Sequence, residues 1–217
     1  MTDPTFSRRN VLKWTGVATT LAIAGSVLPN FGISAALAAD LGEGDIGVLN
    51  YAYALEQLEA AFYSQVVKTP YKGAPKNELA VLKSIRDHEI AHRDFLKKAL
   101  GKKAIPALEV DFSAVDFTSR KSVLGTADLF ENLGVAAYNG AGQLIKKVDY
   151  LAAAGSIVSV EARHTAAIRL MLSGASEKAA GEGHVDSKGL DEALSPAEVL
   201  PKAAPFIKTP VTANSLT

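Results

Sequence analysis

The sequence predicts an all-α protein, an antiparallel four-helix bundle with a long crossover between its second and third helices. Three observations predict this. Four segments carry apolar residues at helical spacing, and each has a glutamate on its apolar seam. The glutamates follow one order, a single Glu and then E-x-x-H, and that order occurs twice. The two halves also repeat: Glu56–Tyr63 and Glu131–Tyr138 share E-x-L-x-x-A-x-Y. The second and fourth segments likewise share I-x-x-x-E-x-x-H-x-x-x-[LI], beginning at Ile85 and Ile157.

The first helix is expected over 45–68, with a seam of Leu49, Ala52/Tyr53, Glu56, Ala60, Tyr63 and Val67. The segment 69–75, with Pro70, Gly73 and Pro75, is a turn. The second helix runs over 77–100 on the seam Leu82, Ile85, Glu89, His92, Leu96 and Ala99, and Gly101 stops it. Residues 101–118 are the crossover. Val110, Phe112, Val115 and Phe117 alternate there, which implies partly extended chain packed on the bundle. The third helix is expected over 119–147, on the seam Leu124, Ala127, Glu131, Val135, Tyr138, Gly142 and Ile145. The fourth runs over 149–172, on Tyr150, Ala154, Ile157, Glu161, His164, Ile168 and Met171, with Gly174 as its stop. The bundle therefore occupies 40–175. Residues 176–217 form a loop, a short helix capped by Ser195 with Pro196 in its first turn, and an extended tail.

An unpaired carboxylate on a core seam is expensive unless it is hydrogen-bonded or bound to metal. Residues three apart on a helix differ by about 60° in direction and about 4.5 Å in height, so the Glu and His of each E-x-x-H reach one site. The turns set the levels. The midpoint of Glu56 and Glu89 falls at Lys72–Gly73, and that of Glu131 and Glu161 at Lys146, so each glutamate stands level with its partner's E-x-x-H. Glu56, Glu89, His92, Glu131, Glu161 and His164 are the expected ligands of two divalent metals, iron or manganese; N/O ligands of this kind do not separate the two.

Neighbouring residues rank below these six. Glu59 lies near the seam, but its counterpart in the repeat is Gly134, so a rim carboxylate is favoured over an extra ligand or proton relay. Tyr63 and Tyr138 each follow a glutamate ligand by seven residues and are expected to hydrogen-bond to ligands. His88 is expected on the surface, pointing away from the site, and His184 in a loop. Asp128 is a weaker candidate for orienting a histidine. Gly134, Gly140 and Gly142 cost helix propensity and are expected to permit close helix packing.

From Asp45 to Met171 the chain resembles the ferritin-like superfamily. LNYAYALEQLEAAFY, RDHEIAHRDFL, ENLGVAAYNGA and SVEARHTAAIRLM look like the exported bacterial ferritin-like domain family that includes desiccation-related proteins. The resemblance implies the ferritin-like bundle and its metal pair. It leaves the reaction open, because this fold hosts ferroxidases, oxygenases, peroxidases and manganese catalases.

Residues 1–39 stand apart. Ser7-Arg8-Arg9-Asn10-Val11-Leu12-Lys13 resembles a twin-arginine export signal, with Val11 where an aromatic or leucine is usual. A mild apolar run from Trp14 to Leu28 follows, and Ala36-Leu37-Ala38 is an A-x-A cleavage motif. The run is short and mild for a membrane anchor. The resemblance implies recognition by the twin-arginine export machinery, transport of an already folded protein, and a periplasmic or otherwise exported location. Loss of residues 1–38 removes Arg8, Arg9, Lys13 and Asp3 and leaves a small net negative charge, which argues against a nucleic-acid partner. The absence of cysteine excludes thiolate ligands and a cysteine nucleophile. The leading expectation is an exported di-metal protein that reacts with dioxygen or peroxide, as a ferroxidase, peroxidase or manganese-catalase-like enzyme. The alternative is a non-enzymatic stress or desiccation protein with a structural or idle metal site. Iron storage ranks below both, since it requires a many-subunit cage. A homo-oligomer is compatible with the sequence but not indicated by it.

Overall fold

The computed structural model describes residues 38–216. The twin-arginine motif and the apolar run after it lie outside the described residues. The order is β1 (Ala39–Asp40), α1 (Gly44–Lys68), α2 (Lys76–Leu100), α3 (Arg120–Ala141), α4 (Val148–Ser173), α5 (Pro196–Ala203) and β2 (Val211–Thr212), with short 3-10 turns between. Helices α1 and α2 form one hairpin and α3 and α4 the other, and the crossover joins them. The fold is the expected all-α bundle with its long crossover.

Helix α1 is buried on almost every face from Gly47 to Val66. Its all-round apolar sequence suits that position. Two amides on it fasten the crossover. The Asn50 side chain donates to the carbonyls of Leu41 (3.1 Å) and Lys103 (2.9 Å) and accepts from the Ile105 N–H (2.9 Å). Gln57, two turns on, donates to Pro106 O (3.4 Å) and accepts from the Leu108 N–H (2.9 Å). Farther along the crossover, Phe112 and Phe117 pack on Phe62, and Phe62 meets Phe130 edge-on. Val110 forms an antiparallel bridge with Ile207. The alternation in the crossover therefore marks chain that is extended only in part, with its aromatic residues inserted into the core.

Helix boundaries match the expectation except at the end of α3. Gly101 (φ 56°) and Gly174 (φ 71°) end α2 and α4 in the left-handed region open to glycine. Helix α3 ends at Ala141 instead of continuing to Lys147, and a 3-10 turn over Gly142–Leu144 follows. Two causes act together. Gly140 and Gly142 weaken the helix. The Asp45 carboxylate, in the first turn of α1, also accepts from the N–H groups of Lys146 (2.7 Å) and Lys147 (3.0 Å), which fixes the start of α4. Ile145 consequently lies in the connection and not on a helical seam.

Ser195 and Glu198 form a reciprocal capping box at α5. The tail returns across the molecule, and β2 pairs in parallel with β1 through Ala39–Val211 and Asp40–Thr212. The expected 39/40 boundary thus falls inside β1. Val199, Ala203 and Leu216 join the same core as the bundle. Among the described residues no helix is long and apolar enough to cross a membrane.

Candidate metal centre

The four long helices bring all six expected ligands to one level of the bundle. Glu56 comes from α1, Glu89 and His92 from α2, Glu131 from α3, and Glu161 and His164 from α4. The four carboxylates are fully buried, and the His164 side chain is nearly so. Two overlapping clusters result. Glu56, Glu89, His92 and Glu161 each place a donor atom within 4.8 Å of the others, and so do Glu89, Glu131, Glu161 and His164. Glu89 and Glu161 belong to both clusters. These are the two E-x-x-H glutamates, one from each half of the repeat.

The contacts follow the pseudo-twofold symmetry of the repeat. His92 Nδ1 lies 3.0 Å from Glu161, 3.3 Å from Glu89 and 3.5 Å from Glu56. His164 Nδ1 lies 2.8 Å from Glu89 and 3.3 Å from Glu131. The Tyr63 hydroxyl on α1 donates to Glu131 on α3 (2.5 Å), and the Tyr138 hydroxyl on α3 donates to Glu56 on α1 (2.5 Å). Burial first, and then the charge of the bonded carboxylates, pushes both phenols well above their ordinary range and keeps them protonated as donors.

Whether these residues suit a cation is tested by their unmet polar atoms. Glu56 Oε2, Glu89 Oε1, Glu131 Oε2, both Glu161 oxygens and His164 Nδ1 are buried and make no hydrogen bond of good geometry, although Glu56, Glu89, Glu131 and Glu161 each bring one of these oxygens within 2.8–3.5 Å of His92 or His164. Native cores seldom leave such atoms unpaired, and here they converge. Burial raises the Glu56 carboxyl to about 8, against the opposing pull of His92. It also raises Glu131, and Glu161 well above the usual range. At Glu89 burial is overcome by hydrogen bonds from His164 and His92, which bring it down to about 2. Burial opposes the charge on His92 and His164 as well, but bonds to the carboxylates lift them to about 12 and about 10. The cluster thus attracts positive charge strongly. Its oxygen and imidazole donors match divalent first-row metals such as iron and manganese.

Three neighbours differ from expectation. Glu59 is no rim carboxylate: it is only 4% exposed. Because α1 is enclosed on all sides, a residue one turn from Glu56 is enclosed too. His88 is exposed but does not point away. Its Nδ1 lies 2.9 Å from His164 Nε2, with the two rings nearly parallel (8°). Its repeat counterpart is Val160, so sequence symmetry carried no hint of this contact. Asp128 orients no histidine; it accepts from Arg169 (3.2 Å) and Asn132 (2.9 Å).

The glycines divide by role. A Cβ on Gly140 would meet the Leu194 carbonyl at 1.8 Å, so this glycine permits close packing of the C-terminal segment. A Cβ on Gly134 would instead meet Glu59 Oε1 at 3.2 Å and Glu161 Oε2 at 3.3 Å, so Gly134 makes room for carboxylates. His184, in its loop, stands 3.9 Å from Glu192 and far from any role at the centre in its contacts.

The centre meets solvent at His92, whose side chain is 12% exposed while the four glutamates are at 0%. An open groove of about 550 Å³ lies over it between α2 and α4, lined by Ala91, Phe95, Ala153, Ser156, Ile157 and Val160. Comparison with known proteins agrees with the architecture: a family model for the ferritin-like domain matches residues 44–174. No curated protein matches the chain.

Proposed function

Since the chain belongs to the ferritin-like domain family, we propose that it is an exported di-metal protein whose iron or manganese pair reacts with dioxygen or peroxide. The observation that carries this reading is the convergence of buried carboxylate and imidazole donors from four helices in two overlapping clusters. When bound, such metals supply the electron transfer that amino-acid side chains lack. The chain's own residues would do the rest. Glu89 and Glu161 span both positions, Glu56 and His92 complete one, and Glu131 and His164 complete the other. Tyr63 and Tyr138 hold Glu131 and Glu56 in fixed orientations. The groove above His92 offers a small neutral oxidant a short path inward, and its lining carries no acidic residue to draw in a cation cargo.

The test begins with metal analysis of protein isolated from its native compartment. About two metals per chain are expected. The double variant His92→Ala/His164→Ala should lose most of this metal while keeping its far-UV helicity, and unchanged metal content refutes the ligand set. Anaerobically reduced, loaded protein is then mixed with dioxygen or hydrogen peroxide in stopped-flow absorbance. Reaction with either is expected, and Glu56→Ala or Glu131→Ala should abolish it. Loaded protein that reacts with neither oxidant favours the stress-protein reading with an idle site.

Export by the twin-arginine route is part of the proposal. Arg8 and Arg9 precede a mild apolar run and the A-x-A motif ending at Ala38. Cleavage after Ala38 would leave β1 intact, since its first residue is Ala39. Replacing Arg8 and Arg9 by lysine should trap the precursor in the cytoplasm; normal appearance of that variant outside the cytoplasm refutes the route.

A further inference from the structure

An apolar cavity begins one helical turn from the centre, on the side of the start of α1. Its lining includes Ala52, four residues before Glu56, Leu96, four after His92, and Ile157, four before Glu161. Small residues make the space: Ala52 on α1, Ala137 and Ala141 on α3, Gly142 just after it, and Ala153 and Ala154 on α4. Protein cores ordinarily set large side chains against small ones and leave few voids. Here small residues from three helices meet one another. The room they leave, about 20 Å³, suits one small molecule. Ala153 and Ile157 line both this cavity and the groove over His92, so the two spaces adjoin at these side chains.

The lining fixes the chemistry of an occupant. Its only polar side chains are three phenols. Tyr138 donates its hydroxyl to Glu56 (2.5 Å), and Tyr150 is half-buried with Lys147 Nζ 4.8 Å from its ring centre. The Tyr51 hydroxyl is buried without a partner. A buried water takes about two to four polar partners. Hydrogen peroxide has more donor and acceptor sites than water to satisfy. One free phenol serves neither, whereas a small apolar molecule leaves water for such a space without losing hydrogen bonds.

We propose that this cavity is a binding site for dioxygen, entered from the groove past Ala153 and Ile157. The assignment rests on the di-metal reading above and selects dioxygen over peroxide as its oxidant. Tyr138 then has two tasks. Its hydroxyl orients Glu56, and its ring forms a wall of the cavity, so the gas is held against the residue that positions a ligand. An apolar gas concentrates there relative to water, which raises its encounter frequency with the centre.

Xenon, an apolar atom that occupies dry protein cavities, tests the cavity without metal. Methyl NMR spectra of the metal-free full chain are recorded under increasing xenon pressure. Saturable shifts are expected at Leu49, Leu55, Leu96 and Ile157, which line the space. Ala154→Leu and Ala141→Val fill it from different helices. Both should abolish the shifts and keep or raise the melting temperature, as cavity filling does. Should one of them melt well below wild type, the other carries the comparison. Loaded, reduced protein is then mixed with dioxygen in stopped-flow absorbance. The variants should hold wild-type amounts of metal and react about tenfold more slowly, the scale of losing a reactant already held in place. Absence of saturable xenon shifts in wild-type protein overturns the site. A wild-type rate with dioxygen in variants that no longer take up xenon overturns it too, as does a loaded wild-type protein that reacts with peroxide and not with dioxygen; the di-metal reading survives all three. Wild-type protein that takes up no metal sinks that reading and the dioxygen assignment together.

Discussion

At the scale of single residues, the candidate centre depends on the bonds that orient its carboxylates as much as on the carboxylates themselves. Tyr63 and Tyr138 each donate one short bond to a carboxylate on the opposite hairpin. Removing a hydroxyl frees that carboxylate to rotate and leaves a further buried oxygen unpaired beside those already present. Tyr63→Phe and Tyr138→Phe should therefore each lower metal affinity by about tenfold, the usual effect of losing a group that orients a ligand. Competition with a calibrated chelator measures it, and unchanged affinity in both variants would remove the phenols from the site. The tyrosines were legible in the sequence because their seven-residue offset from a glutamate keeps them on the same helical face. The burial of Glu59 and the inward contact of His88 were not legible there. Their positions are decided by how deeply α1 is enclosed and by where α4 presents His164, and neither is a property of local spacing.

At the scale of elements, the bundle is tied together at its ends and along the crossover. Arg120 at the start of α3 donates to Glu78 in the first turn of α2 (2.6 Å) and to the Met171 carbonyl near the end of α4 (2.6 Å). The hydroxyl of Tyr71, in the turn between α1 and α2, donates to the same glutamate. At the other end, Asp45 of α1 accepts from the N–H groups just before α4. Between them, Asn50 is the buried junction of three segments: the stretch before α1, the crossover and α1 itself. Asn50→Ala would strand two carbonyls and one N–H, and its expected cost is about 3 kcal/mol. Urea denaturation of the metal-free protein measures it; a loss below about 1 kcal/mol would show that water replaces the amide at no net cost. Helix limits were readable from turn residues and stop glycines at seven of the eight ends. The end of α3 was not, because Asp45 acts on it from elsewhere in the chain.

At the scale of the whole molecule, the metal-free protein encloses more acidic groups than its two site histidines can neutralise. The sign of the pH dependence follows from the direction of each shift. Burial raises Glu56 from its ordinary value to about 8, so keeping it neutral favours the fold at low pH, and stability falls as pH rises from about 4.5 to about 8. His92 and His164 are raised to about 12 and about 10; their contribution is complete below about 6.5 and is lost as pH rises through those values. Glu89 is lowered to about 2 and acts oppositely, losing its contribution only as pH falls below about 4.5. The metal-free protein should thus melt lower at pH 9 than at pH 6, by more than about 4 °C, which corresponds to roughly 1 kcal/mol or more in a chain of this size. Bound metal should shrink or reverse that difference, because the cation takes the place of the protons. Thermal melts with and without chelator at the two pH values check this, and a metal-free melting point that rises with pH contradicts the charge assignment.

The helices, their antiparallel pairing and the level of the centre were determined by the sequence alone. Helical periodicity, two turns and a repeated Glu/E-x-x-H order are short-range features, and an amphipathic helix can bury its seam in few ways. The glutamates at 56, 89, 131 and 161 stood out for the same reason, since a charge on a core seam demands a partner. Tertiary structure decided what no spacing encodes: that Glu59 is enclosed over Gly134, that His88 meets His164, that Asn50 and Gln57 hold the crossover, and that α3 stops at Ala141. Each depends on atoms distant in sequence that are brought within hydrogen-bond or van der Waals range only when the two hairpins and the tail close on one core.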